Sequence, residues 1–111
     1  MDNSGMDKSG VLQQIYDILL ERKAALPGDS YSARLFREGE DAILKKIGEE
    51  AAEVLLASKS GREDALVHEI ADLWFHTLVL LAHHGTPADR IFDELQERLG
   101  KPGLKDRRKE E

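Results

Sequence analysis

Four acidic residues stand in two pairs with the same spacing, Glu50 with Glu53 and Glu69 with Asp72. Three residues apart on a helix is one face, so each pair projects in a single direction. Carboxylates so arranged can hold a hard divalent cation or move protons. Counting about 100° per residue, Lys46, Glu49, Glu50 and Glu53 share an arc of about 100°. Ile43, Leu44, Ile47, Ala51, Val54 and Leu55 form the apolar stripe beside that arc, with Glu50 at its border. The second segment, Leu66 to Ala82, is apolar on nearly every side and reads as a buried helix whose only formal charges are Glu69 and Asp72. With His76 these two make a polar strip about 60° wide.

Carboxylates are almost never fully buried without a partner, because an unpaired buried charge costs several kcal/mol. If the two segments pack as a hairpin about the turn Ser58 to Arg62, the nearest neighbours of Glu69 and Asp72 are other acids. At an effective dielectric of about 20, each like-charged pair about 5 Å apart costs roughly 3 kcal/mol. Two remedies are open. Lys46, Arg34 or Lys59 could neutralise the acids as a salt-bridge network, or a divalent ion could turn repulsion into ligation. All-oxygen ligands suit Mg²⁺, with Mn²⁺ as an alternative.

The elements that must position these residues follow from periodicity and punctuation. Val11, Leu12, Ile15, Tyr16, Ile18 and Leu19 recur at helical spacing, which predicts a first helix from residue 11 to about 25, stopped by Pro27 and Gly28. Asp29 to Gly39 reads as a linker with a short helical turn. The acid-bearing helices run from about Glu38 to Lys59, closed by Gly61, and from Arg62 to His84, closed by Gly85. Thr86 as cap and Pro87 as first helical residue start another helix, edged by Ile91, Leu95 and Leu99. Residues 1–9 read as a disordered lead, 10–104 as one all-α domain and 105–111 as a charged tail.

Composition narrows the class further. At 111 residues the chain is one domain, long enough for a core of four or five helices. A net charge of −6 argues against non-specific nucleic-acid binding. The absence of cysteine rules out disulfides, thiolate zinc sites and a cysteine nucleophile. No stretch reads as a signal peptide or a membrane span, so the expected compartment is the cytoplasm.

Three segments carry a resemblance: D-S-Y-S-A-R-L-F at 29–36, I-L-K-K-I-G-E-E-A-A-E-V at 43–54 and H-E-I-A-D-L-W-F-H-T-L at 68–78. The acid pairs alone resemble the wider MazG-like superfamily of all-α nucleotide pyrophosphohydrolases. The first segment and the G-E-E-A-x-E context narrow the resemblance to phosphoribosyl-ATP pyrophosphohydrolase of histidine biosynthesis, over about residues 10–105. The tail departs from that family's pattern, with Pro102 where related chains often place serine.

The resemblance implies a MazG-like bundle and hydrolysis of phosphoribosyl-ATP to phosphoribosyl-AMP and pyrophosphate. It implies that Glu50, Glu53, Glu69 and Asp72 ligate Mg²⁺. Glu49 is then the candidate for orienting or deprotonating the attacking water, or else a plain solvated acid beside the site. Lys46 is a candidate phosphate contact, or else a plain countercharge to Glu50. Arg34 and Tyr31, which belong to the narrowing motif, become candidate substrate contacts, although Tyr31 also suits core packing. His76 reads better as a satisfied core histidine than as a contact to a ligand carboxylate.

A homodimer or higher homo-oligomer is expected, since Trp74, Phe75 and Val79 present more apolar perimeter than this small bundle can cover. The partner besides a second copy is a small-molecule nucleotide, with no nucleic acid and no membrane. Two other readings share some of these features. A housekeeping nucleoside triphosphate pyrophosphohydrolase would use the same acids on another substrate. A non-catalytic helical interaction module would explain the apolar surface but not the charges at Glu69 and Asp72.

Overall fold

In the computed structural model, which describes residues 8–101, a 3-10 turn at Lys8–Gly10 leads into α1, Val11–Ala25. Then come α2 (Tyr31–Glu38), α3 (Glu40–Ser60), α4 (Glu63–His84) and α5 (Asp89–Arg98), with no strand among the described residues. The all-α expectation therefore holds. Of the expected lead at 1–9, residues 8 and 9 belong to the 3-10 turn, whereas residues 1–7, the tail at 105–111 and the departure at Pro102 lie outside the described residues.

α3 and α4 make the most extensive packing in the fold, an antiparallel pair joined by a two-residue turn. Gly61 takes φ 76°, ψ 7° there, a left-handed conformation that glycine reaches without a Cβ clash. α1 crosses onto α4, and α2 bridges α1 and α3. Their junction is the core, built of Tyr16, Leu19, Leu35, Ile43, Leu78, Val79, Ala82 and Ala88. Tyr16 donates its hydroxyl to the Thr86 carbonyl at 2.6 Å, tying α1 to the end of α4. Lys23 adds a second tie, donating to the carbonyls of Ala82 and His83 at the negative end of the α4 dipole.

Two expected boundaries are corrected. The stretch read as a linker is a two-turn helix, α2, because Ser30 caps it by accepting from the Ala33 N–H at 3.1 Å and because Ala33 and Leu35 are buried in the core. Thr86 does not cap α5. Its N–H bonds Leu81 O at 3.0 Å while Gly85 N–H bonds Ala82 O at 3.1 Å, a Schellman closure that commits Thr86 to the end of α4. α5 consequently starts two residues after Pro87, with no side-chain cap.

The apolar perimeter of α4 also differs from expectation. Val79 is fully buried, Phe75 is half-buried and Trp74 stands 55% exposed. Beside Trp74 an apolar groove of about 480 Å³ runs between α4 and α5, lined by Leu12, Leu78, Leu81, Ile91, Phe92 and Leu95 among others. On α3, Leu44 and Leu55 of the expected core stripe are also exposed. By length and composition α4 would pass for a membrane span. Its packing on α1 and α3, with two carboxylates on its inner face, is that of a bundle helix.

Candidate functional site

The short turn between α3 and α4 sets the register of the site. Counting outward from Gly61 and Arg62, Glu53 and Glu50 come level with Glu69 and Asp72. The two acid pairs therefore face each other across the hairpin, as the spacing predicts. A cleft of about 470 Å³ opens beside them, lined by Tyr31 from α2, Lys46 and Glu50 from α3, and Asp72, Phe75 and His76 from α4.

The burial of the acids is not the expected one. Glu50 is the buried acid, at 8% exposure, whereas Glu69 and Asp72 are half-buried and Glu53 is exposed. The reason is tertiary. Asp72 of α4 lines the open cleft and Glu69 lies against the α3 acids at its margin, while Glu50 lies at the hairpin seam. Its Oε2 faces Lys46 Nζ at 3.6 Å, too far for a strong hydrogen bond. Its Oε1 is sealed from solvent with no hydrogen-bond partner among the described residues. Leaving a buried acceptor unsatisfied costs about 1–3 kcal/mol, and more when it is charged.

The neighbouring acid records the same crowding. Partial burial, the Glu50 carboxyl within hydrogen-bonding reach and the charge of Glu53 raise the Glu69 pKa, and His68 offsets only part of this. Two carboxylates in that relation need either a shared proton or a cation between them. Ligand atoms of His68, Glu69 and Asp72 all lie within 4.8 Å of one another, and His68 Nε2 is 3.5 Å from Asp72 Oδ2. His68 is not among the site residues expected from sequence, although its place four residues before Asp72 puts it on the same helical face. The unpartnered Glu50 oxygen and this oxygen-rich donor set fit a hard divalent ion.

Of the three basic residues offered as neutralisers, only Lys46 reaches the acids. It lies 3.6 Å from both Glu49 Oε1 and Glu50 Oε2. Burial lowers the Lys46 pKa, but Tyr31, Glu49 and Glu50 outweigh this and raise it, so Lys46 is a firm cation. Arg34 pairs instead with Glu38 at 3.9 Å and lies 5.5 Å above the centre of the Tyr31 ring. No contact brings Lys59 to the acids among the described residues. Glu49, about half-exposed, sits on the rim through its pairing with Lys46.

Tyr31 is not core packing. It is 40% exposed, lines the cleft and bonds His76 Nε2 through its hydroxyl at 2.8 Å. His76 is buried at 4% exposure, as a satisfied core histidine should be, and its other nitrogen lies 2.8 Å from the Asp72 carbonyl. The site thus joins an acidic wall, one lysine, and a tyrosine held by histidine.

Comparison with known proteins bears on this arrangement. The family model described as "Phosphoribosyl-ATP pyrophosphohydrolase" matches residues 12–99. A protein of Geobacter sulfurreducens named phosphoribosyl-ATP pyrophosphatase is 51% identical over 98 residues, 87% of this chain and 90% of the relative. Relatives of the same name from Neisseria gonorrhoeae and Chromobacterium violaceum are 52% and 54% identical, covering 85% of this chain and 88% and 87% of theirs.

Proposed function

The chain belongs to the phosphoribosyl-ATP pyrophosphohydrolase family, and from that premise we propose a magnesium-dependent hydrolysis in the cleft between α2, α3 and α4. The chain is a hydrolase of histidine biosynthesis, splitting phosphoribosyl-ATP into phosphoribosyl-AMP and pyrophosphate. Water adds its oxygen to phosphorus, the anhydride bond between the α and β phosphates breaks, and pyrophosphate leaves.

Glu50, Glu53, Glu69 and Asp72 are the residues that would hold Mg²⁺, with Mn²⁺ as the alternative and His68 beside them. When bound, the metal offsets phosphate charge and the charge that develops as the anhydride breaks. Lys46 supplies a fixed cation to a phosphate oxygen. Glu49, on the rim next to Glu50, orients the attacking water and accepts its proton. Tyr31 and Arg34, on the α2 wall, contact the substrate. The observation that carries this reading is the sealed, unpartnered Oε1 of Glu50 beside the crowded Glu69.

The apolar groove between α4 and α5 supports a homodimer or higher homo-oligomer, since a second copy would cover surface that the lone chain leaves open. We assign the enzyme to the cytoplasm, where its nucleotide substrate is made.

One assay tests the reading: pyrophosphate released from phosphoribosyl-ATP and from a panel of free nucleoside triphosphates, with Mg²⁺ and with EDTA. Turnover of phosphoribosyl-ATP that EDTA abolishes is expected. Turnover of the free nucleotides alone would reject the substrate and leave the metal chemistry standing. Undiminished turnover in EDTA would reject the metal.

A further inference from the structure

His76 is buried against the cleft, yet the hydrolysis above gives it no part. Its two nitrogens have different partners, and their chemistry assigns the protons. Nδ1 lies 2.8 Å from the Asp72 carbonyl oxygen, which can only accept, so Nδ1 carries the hydrogen. In the Nδ1–H tautomer Nε2 is left with a lone pair, and the Tyr31 hydroxyl at 2.8 Å donates to it. Edge-on contacts hold the ring in place, with centroids 5.8 Å from Tyr31 and 5.2 Å from Phe75.

A phenol has one proton, and Tyr31 spends it on His76 inside the wall. Burial, ahead of the opposing pull of Lys46 and Arg34, raises the Tyr31 pKa, so the hydroxyl keeps that proton at neutral pH. What remains for the cleft is the acceptor side of the oxygen. A phosphate oxygen is also an acceptor, and two acceptors repel when placed face to face. The partner that suits Tyr31 is a hydrogen-bond donor, and the donors of a sugar-linked nucleotide nearest its phosphates are sugar hydroxyls.

We infer that His76 is a positioning residue that fixes Tyr31 as a hydrogen-bond acceptor in the cleft, so that Tyr31 reads a sugar hydroxyl of the substrate rather than a phosphate. This deepens the functional reading above and rests on it. The cleft then divides its labour, with Lys46 and the acid cluster serving the triphosphate and the Tyr31–His76 pair serving a sugar.

The test uses the full chain with Mg²⁺ and reads KM and kcat separately for Tyr31→Phe, His76→Phe, the double variant and His76→Gln, with thermal melts to check folding. Tyr31→Phe raises KM about fivefold with kcat little changed, the loss expected for one uncharged hydrogen bond. His76→Phe does the same, the double variant is no worse than either single, and His76→Gln, which keeps a donor and an acceptor, recovers part of the loss. Inorganic triphosphate inhibits Tyr31→Phe as well as it inhibits the unaltered enzyme, but inhibits Lys46→Ala less well.

KM effects that multiply in the double variant would overturn the inference, as would weaker triphosphate inhibition of Tyr31→Phe. Ring ¹⁵N spectra of the unaltered protein give a readout that does not depend on how the variants fold: His76 protonated at Nδ1 and bare at Nε2, the reverse tautomer counting against the idea. An unaltered enzyme that leaves phosphoribosyl-ATP intact overturns the functional reading and the sugar contact with it. Turnover by the unaltered enzyme with independent variants overturns this inference alone.

Discussion

The two long faces of α4 fail in opposite ways when the chain stands alone. Its inner face, toward α3, carries Glu69 and Asp72 against Glu50, with more negative charge than Lys46 can answer. Its other face, toward α5, carries Trp74 and a groove of about 480 Å³ that is almost wholly apolar. One face gathers acids and the other gathers exposed apolar side chains. The contrast teaches that one helix of a small bundle can present two surfaces of opposite chemistry, acidic toward α3 and apolar toward α5.

The sharpest way to break that contrast is Glu50→Gln, which keeps shape and removes charge. Activity should fall about 10²–10³-fold, the scale of losing one preorganised electrostatic contact. The same variant should melt no lower than the unaltered protein in EDTA, because the unsatisfied buried charge is gone. A large drop in Tm in EDTA would mean that Glu50 is a structural residue.

Next in size is the apolar face. Trp74→Glu places a charge in the groove, and gel filtration should move from at least twice the 12.5 kDa chain mass toward the monomer. The response of Tm to Mg²⁺ should survive in that variant. Its disappearance would show that the two faces are coupled.

Mg²⁺ itself should stabilise the unaltered protein by about 2.7 kcal/mol at 100 times its dissociation constant. The sign of the pH dependence follows from Glu69, whose pKa is raised in the fold by partial burial and by its acidic neighbours. Without metal, the contribution of this group is fully present below its ordinary carboxylate pKa. It is lost as pH rises through the higher folded value. The Mg²⁺-induced rise in Tm is therefore largest at neutral pH and shrinks on acidification, as protons take the place of the ion. A rise that grows at low pH would contradict the cluster.

The smallest effect lies outside both faces. Tyr16→Phe removes the hydroxyl that satisfies the Thr86 carbonyl and should cost about 1 kcal/mol by urea melts, with kcat and KM unchanged. Burial and Asp17 raise the Tyr16 pKa, so the unaltered protein also loses stability as pH climbs through that raised value. A Tyr16→Phe change in kcat would show that the core is less separate from the site than the contacts suggest.

Much of this is legible in the order of residues. α1, α3 and α4 begin and end within two residues of the expected places, because glycine stops and 3.6-residue periodicity are local signals. α2 shows in the sequence only as a short turn, since eight residues carry too few turns to show a period and the Ser30 cap is visible only once its geometry is known. Thr86–Pro87 looked like the start of a helix and is the end of one, because the pull of the α4 terminus on the Thr86 N–H is invisible in the order of residues. His68 carries a signal of its own in the sequence, the four-residue spacing to Asp72.

What the order of residues determines here is the helical repertoire and the set of side chains able to do chemistry: the acid pairs, Lys46, Tyr31 and Arg34, each on a definable helical face. Tertiary structure alone decided which of them are hidden. Burial depends on what another element lays over a face, so the acid that lost its solvent is Glu50 at the seam rather than Glu69 or Asp72 on the apolar helix. For the same reason Val79 is enclosed while Trp74 stands open. The contact between Tyr31 and His76, 45 residues apart, exists only because α1 and α3 hold α2 against the cleft, and no local rule of spacing could have placed it.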